Sequence, residues 1–101
     1  MKTKTEYQKI QPYTTKDGSI VRELMHPDMH GNSNQSLAEA TIPANSATAL
    51  HRHHRFEEIY HITEGRGLMT LGEKTFLITA GDTIYIPAGT AHRIQNTSNT
   101  L

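Results

Sequence analysis

The chain has 101 residues, enough to bury one core and too few for two. Ten Lys plus Arg balance ten Asp plus Glu, so with His neutral the formal net charge is zero and the electrostatic footprint of a nucleic-acid binder is missing. The absence of Cys excludes a disulfide framework and thiolate metal ligands; with no signal-peptide pattern and no apolar run near the length of a membrane span, a cytoplasmic protein with no membrane contact is expected.

Residues 1–18 read as an N-terminal extension or an extra strand. KDGS (16–19) carries the Asp-Gly pair of a tight hairpin and leads into a strand, SIVREL (19–24). HPDMHGNSN (26–34) has the polar composition of a loop, in which His26 and His30 are expected to be solvated. Seven further strands follow: SLAEATI (36–42), TALHRH (48–53), EIYHIT (58–63), GLMTL (67–71), KTFLIT (74–79), TIYIP (83–87) and AHRIQN (91–96). LGEK (71–74) leaves only Gly72 and Glu73 between two of them. Short runs rich in Ile, Thr, Tyr and Phe, punctuated by Gly, Pro, Asn and Asp, belong to a β-sandwich or barrel. No helix of three or more turns is signalled.

Four of the seven histidines fall in HRHHRFEEIYHITEGRG (51–67). On a strand, His51 and His53 point to one face while Arg52 points away. Two such imidazoles are either an ordinary surface pair or half of a metal site, and the second reading needs a carboxylate and another His from elsewhere. Glu57 and Glu58 supply the carboxylate.

A second segment supplies the other His. GDTIYIPAGTAHRIQN (81–96) sets Gly81, Pro87, Gly89, His92 and Asn96 in the pattern G-x5-P-x-G-x2-H-x3-N. Here the chain resembles the cupin superfamily, whose second signature motif has this spacing. The first cupin motif, G-x5-H-x-H-x(3 or 4)-E-x6-G, is matched by His51, His53, Glu58 and Gly65, with Asn45 where the motif opens with Gly. That departure touches a turn, and Asn is the residue other than Gly that best tolerates positive φ. The resemblance covers residues 36–96. It implies one cupin domain over 1–101, with the first motif at about 45–65 and the second at 81–96. The implied fold is all-β, a small antiparallel cupin-type β-barrel of the double-stranded β-helix, jelly-roll-like kind. The implied cofactor is one divalent transition metal ion (Mn, Fe, Ni, Zn or Cu) held by His51, His53, Glu58 and His92. Cupins usually run a further strand after the second motif, so a homodimer or the TEYQKI segment is expected to cover the edge left open.

Counting back from Gly65 selects Glu58 over Glu57, and alternation agrees: Glu58, Tyr60 and Ile62 share one face, Glu57, Ile59 and His61 the other. His61 and His54 are then surface or interface residues. The expected interior is Tyr60, Ile62, Phe76, Ile78, Ile84, Ile86 and Ile94. With nothing basic facing inward, it suits a small molecule that chelates through oxygens and carries an apolar body better than a sugar phosphate. Arg22 is the one strand Arg that could serve such a ligand, and is otherwise expected as a solvent-facing edge charge. Tyr60 either packs or donates a hydrogen bond to a bound substrate, and is the candidate catalytic residue. Gly65, Gly81, Pro87, Gly89 and Asn96 are assigned structural roles, Asn96 tying down backbone.

Two function classes follow. The first is a metalloenzyme acting on a small oxygen-chelating molecule, dioxygenase-like or a decarboxylase, lyase or isomerase; the fold does not choose the reaction. The alternative is a non-catalytic small-ligand-binding or sensory module with the same site.

Overall fold

The Asp-Gly pair of KDGS forms the turn its chemistry favours. In a computed structural model that describes residues 3–52 and 55–98, Gly18 adopts φ 88°, and the Asp17 carboxylate accepts hydrogen bonds from the Ser19 amide and the Thr15 hydroxyl. The turn joins β1 (Tyr13–Thr14) to β2 (Ile20–Met25), with Thr14 facing Ile20. β3 (Leu37–Thr41) pairs antiparallel with the other side of β2, giving the order β1-β2-β3, and the register shifts between Glu23 and Met25. These strands belong to the first of two compact units, residues 1–41.

Within TEYQKI, Tyr7–Lys9 forms a single 310 turn. Two expectations for this unit are corrected. Arg22 is half-buried rather than solvent-facing. Its guanidinium lies 4.3 Å from the centre of the Tyr7 ring, donates to the Tyr7 hydroxyl and pairs with Glu39 at 3.5 Å. The 26–34 segment contains one turn of helix, α1 (Pro27–His30), with Pro at its start and Gly31 at φ 84° as its left-handed cap. His26 and His30 are therefore part of a built turn, not loosely solvated. Nδ1 of His26 accepts from the Asp28 amide at 3.1 Å, and Nδ1 of His30 accepts from the His26 amide at 3.0 Å.

The second unit, residues 42–101, carries the remaining strands: β4 (Glu58–His61), β5 (Arg66–Leu71), β6 (Lys74–Thr79), β7 (Thr83–Ile86) and β8 (His92–Asn96). β4 pairs with β7, and β6-β5-β8 form a three-stranded sheet. All pairings are antiparallel. Leu71 faces Lys74 across the two-residue LGEK turn, as its composition requires.

Alternation sets what the second unit buries. Met69, Ile78, Ile84 and Ile86 are buried, and Tyr60, Ile62, Leu71, Phe76 and Ile94 pack against them. All seven expected interior residues are present, and Met69 and Leu71 are additions. They follow from register, since β5 lays Gly67, Met69 and Leu71 opposite Asn96, Ile94 and His92 of β8. Gly67 is required there: a Cβ would stand 2.5 Å from the Gln95 carbonyl oxygen.

TALHRH does not form the continuous strand expected. Residues 45–51 run antiparallel beside β8, but with only two isolated bridges, Ala47 to Gln95 and His51 to His92. The Ile94 amide donates to the Thr48 hydroxyl at 3.1 Å, so a side chain intrudes into what would be a backbone ladder. The other expected strands lie within two residues of their observed limits. Helix among the described residues is confined to single turns, and none is long and apolar enough to cross a membrane.

Candidate metal centre

After β7, Pro87 cannot extend the ladder and Gly89 turns the chain at φ 81°, so that β8 opens on His92. His92 is met by His51. Their amides and carbonyls exchange hydrogen bonds of 3.1 and 2.8 Å, the pattern of a directly opposed antiparallel pair. Such a pair projects both side chains to one side, and the imidazole centroids are 4.3 Å apart at 64°.

Each ring is oriented by its own backbone. Nδ1 of His51 lies 2.9 Å from the Ala49 carbonyl oxygen, and Nδ1 of His92 lies 3.0 Å from that of Thr90. A carbonyl can only accept, so Nδ1 carries the proton in both rings, and in the neutral imidazole Nε2 then keeps the lone pair. This is the arrangement by which an outer partner prepares an imidazole for a cation.

The carboxylate arrives from β4. Glu58 is its first residue, opposite Ile86, and alternation turns Glu58 and Tyr60 inward while Ile59 and His61 are exposed. Glu57 faces the other way, where its Oε2 accepts from the Tyr85 hydroxyl at 2.6 Å. That bond to a carboxylate, followed by burial, raises the Tyr85 phenol above its ordinary value of 10.0.

Glu58 Oε1 stands 3.7 Å from His92 Nε2. One donor atom from each of His51, Glu58 and His92 can be chosen so that all three lie within 4.8 Å of one another. Ligands at ~2.1 Å from a shared ion are separated by roughly 3.0 to 3.4 Å at octahedral to tetrahedral angles, and by about 4.2 Å when opposed. The donor set therefore fits a first-row divalent ion in chemistry, in ring orientation and, after small adjustments, in spacing. Exposure is graded across the cluster. His92 is 1% exposed and the Glu58 side chain 25%, whereas His51 is open to solvent.

Of the expected site residues, His51, Glu58 and His92 are brought together, and His53 lies outside the described residues, as does His54. Tyr60 is half-buried and presents its ring edge-on to His92, centroids 5.8 Å apart. His61 is exposed and bonds the Thr83 hydroxyl at 2.8 Å. Asn96 ties backbone as expected, donating to the Ile42 carbonyl at 2.7 Å and accepting from the Ser98 amide at 2.8 Å. Asn45 takes positive φ, 61°, where the family motif has Gly. Sequence reasoning did not find the Ala49 and Thr90 carbonyls or the Tyr85 hydroxyl. The first two carry no side-chain signal, and the third was discoverable only from the register of β4 against β7.

The Cupin domain family matches residues 38–100. An uncharacterized protein of Methanocaldococcus jannaschii is 59% identical over 96 residues, spanning 95% of this chain and 77% of its own length. The oxalate-binding protein of Thermotoga maritima is 35% identical over 81 residues; the match takes in 80% of this chain and 63% of that protein, so this chain spans less than two thirds of that relative. Among solved structures, a predicted oxalate decarboxylase of Thermotoga maritima superposes with TM-score 0.83 at 28% identity, covering 94% of this chain and 88% of the other.

Proposed function

The chain belongs to the cupin domain family, and from that premise we propose that it holds one divalent transition metal ion on His51, His53, Glu58 and His92 and binds a small oxygen-chelating acid of the oxalate type there. The observation that carries the reading is the facing pair: two imidazoles with Nδ1 committed to carbonyls, and a carboxylate whose oxygen stands 3.7 Å from one of them.

Charge favours an anionic ligand. Two neutral imidazoles and one carboxylate leave a divalent ion with residual positive charge, and histidine at position 53 adds none when neutral. When bound, the ion supplies Lewis acidity toward the oxygens of a chelating acid. The chain itself contributes orientation and shape. Leu71 and Ile86, opposite His92 and Glu58, belong to or pack against an interior whose apolar side chains already touch one another. That packed apolar cluster suits a compact acid, and the oxalate-binding relative points the same way.

Binding is the primary reading, because the inward residues of β4 and β7 are Glu58, Tyr60, Ile84 and Ile86, and only Tyr60 offers a proton outside the ligand set. A decarboxylase-like turnover is the second reading, favoured by Tyr60 edge-on to His92, where its phenol is assigned to hydrogen-bond the bound acid. A homodimer belongs to the same proposal and is read by sedimentation.

The test is calorimetry of metal-free protein with Mn2+ and then oxalate, with formate release followed in parallel. Saturable oxalate binding that requires the ion and disappears in His92→Ala supports the reading. Equal oxalate binding with and without the ion overturns it. Formate production abolished by Tyr60→Phe moves the assignment to the second reading.

A further inference from the structure

Two chemically identical carboxylates, Glu57 and Glu58, stand side by side at the start of β4, and only Glu58 meets His51 and His92. Side chains alternate along a strand, so a one-position twist at this end would exchange one for the other without changing the donor chemistry. The ladder offers limited resistance. β4 pairs with β7 from Glu58 onward, and residues 55–57 precede the first paired position. A bulge at the first residue of a strand is an established way to re-aim a side chain.

What opposes the exchange lies on the outer face. Tyr85 is the outward residue of β7 between Ile84 and Ile86, and it faces Ile59. Its ring reaches along the outer face to Glu57, where the hydroxyl donates to Oε2 at 2.6 Å. Tyr85 is 55% exposed, so its hydroxyl contributes little to the buried core.

We propose that Tyr85 is a positioning residue for the metal centre: by holding the Glu57 carboxylate on the outer face, its hydroxyl selects Glu58 as the carboxylate presented to the ion. The inference rests on the proposed metal site and adds a residue that touches neither ion nor ligand. It predicts an epistatic relation that a merely structural tyrosine would not produce. With Tyr85 intact, Glu57 is kept out and cannot replace a lost Glu58. With the hydroxyl removed, it can.

The experiment is competition calorimetry of metal-free protein with Zn2+. Glu58→Gln should weaken Zn2+ binding by about a hundredfold, the loss of a charged donor. Tyr85→Phe alone should change affinity by less than about threefold, since either glutamate then serves. The double variant Glu58→Gln/Tyr85→Phe should bind about tenfold more tightly than Glu58→Gln, and adding Glu57→Gln should erase that gain. A double variant no tighter than Glu58→Gln overturns the inference while leaving the metal site standing. A gain that survives Glu57→Gln also overturns it, because Glu57 would not be the substitute. Parent-like binding by Glu58→Gln itself would sink the underlying site, a failure distinguishable from the other two.

Discussion

His26 with His30, and His51 with His92, are two pairs of histidines that use the same atom in opposite senses. By spacing alone the first pair is the better chelate candidate, since residues four apart share a helical face. Yet both of its Nδ1 atoms accept from backbone amides, at 3.1 and 3.0 Å. A neutral imidazole whose Nδ1 accepts must carry its proton on Nε2, which leaves no lone pair for a cation. In the second pair Nδ1 donates to a carbonyl, so in the neutral ring the lone pair lies on Nε2. The lesson is that the backbone group beside a histidine decides which ring nitrogen can face a cation. Spacing only brings the rings near.

Changes to the two pairs should therefore part company. The largest effect is expected for His51→Ala/His92→Ala, which should abolish stoichiometric metal in elemental analysis, a loss beyond the roughly tenfold to hundredfold typical of removing an outer hydrogen-bond partner. His26→Ala/His30→Ala should leave stoichiometry at the parent value, and a loss of metal there would break the comparison.

Stability sharpens it next. All four buried apolar residues among the described residues are in the unit that carries His51 and His92. Met69→Ala, at 0% exposure, should cost about 2 to 5 kcal/mol in denaturant unfolding. His26→Ala should cost only about 0.5 to 2 kcal/mol, the range for a lost helix cap, and should raise amide exchange at Asp28 first.

The smallest effect is alkaline. Hydrogen bonds to Glu39, Glu23 and Glu57, in that order, raise the phenols of Tyr7, Tyr13 and Tyr85 above 10.0. A value raised in the native state means that the bond's contribution is intact below pH 10.0 and is lost as pH rises through the native value. Tyrosinate absorbance of the native protein should therefore lag behind that of the unfolded chain, and Tyr85→Phe should remove part of the lag.

Strand positions were legible because alternation and turn residues are local. Asn45 could be assigned a positive-φ turn because it stands where the cupin motif opens with Gly and Asn tolerates that conformation, and Glu58 could be chosen over Glu57 by counting back from Gly65 and by alternation. Met69 was not legible as core, because GLMTL has an apolar residue on each face and only its register against β8 separates Met69 from Leu68. The broken ladder at TALHRH hinged on the Thr48 hydroxyl competing with a backbone acceptor, which no periodicity reveals. The histidine tautomers were out of reach for a deeper reason: their partners are carbonyls, and every residue has one.

The paired backbone bonds between His51 and His92 also have an entropic consequence. Bringing two distant points of a chain together costs on the order of a few kcal/mol of loop-closure entropy. In a zinc finger the arriving ion meets that cost, and without it the chain unravels. Here the amide ladder has met it beforehand, so an ion held on the proposed ligands would inherit a socket. A chelator should strip such a site and leave a folded protein behind, which would make the ion a replaceable part and the donor chemistry, rather than the act of folding, the selector of which metal stays.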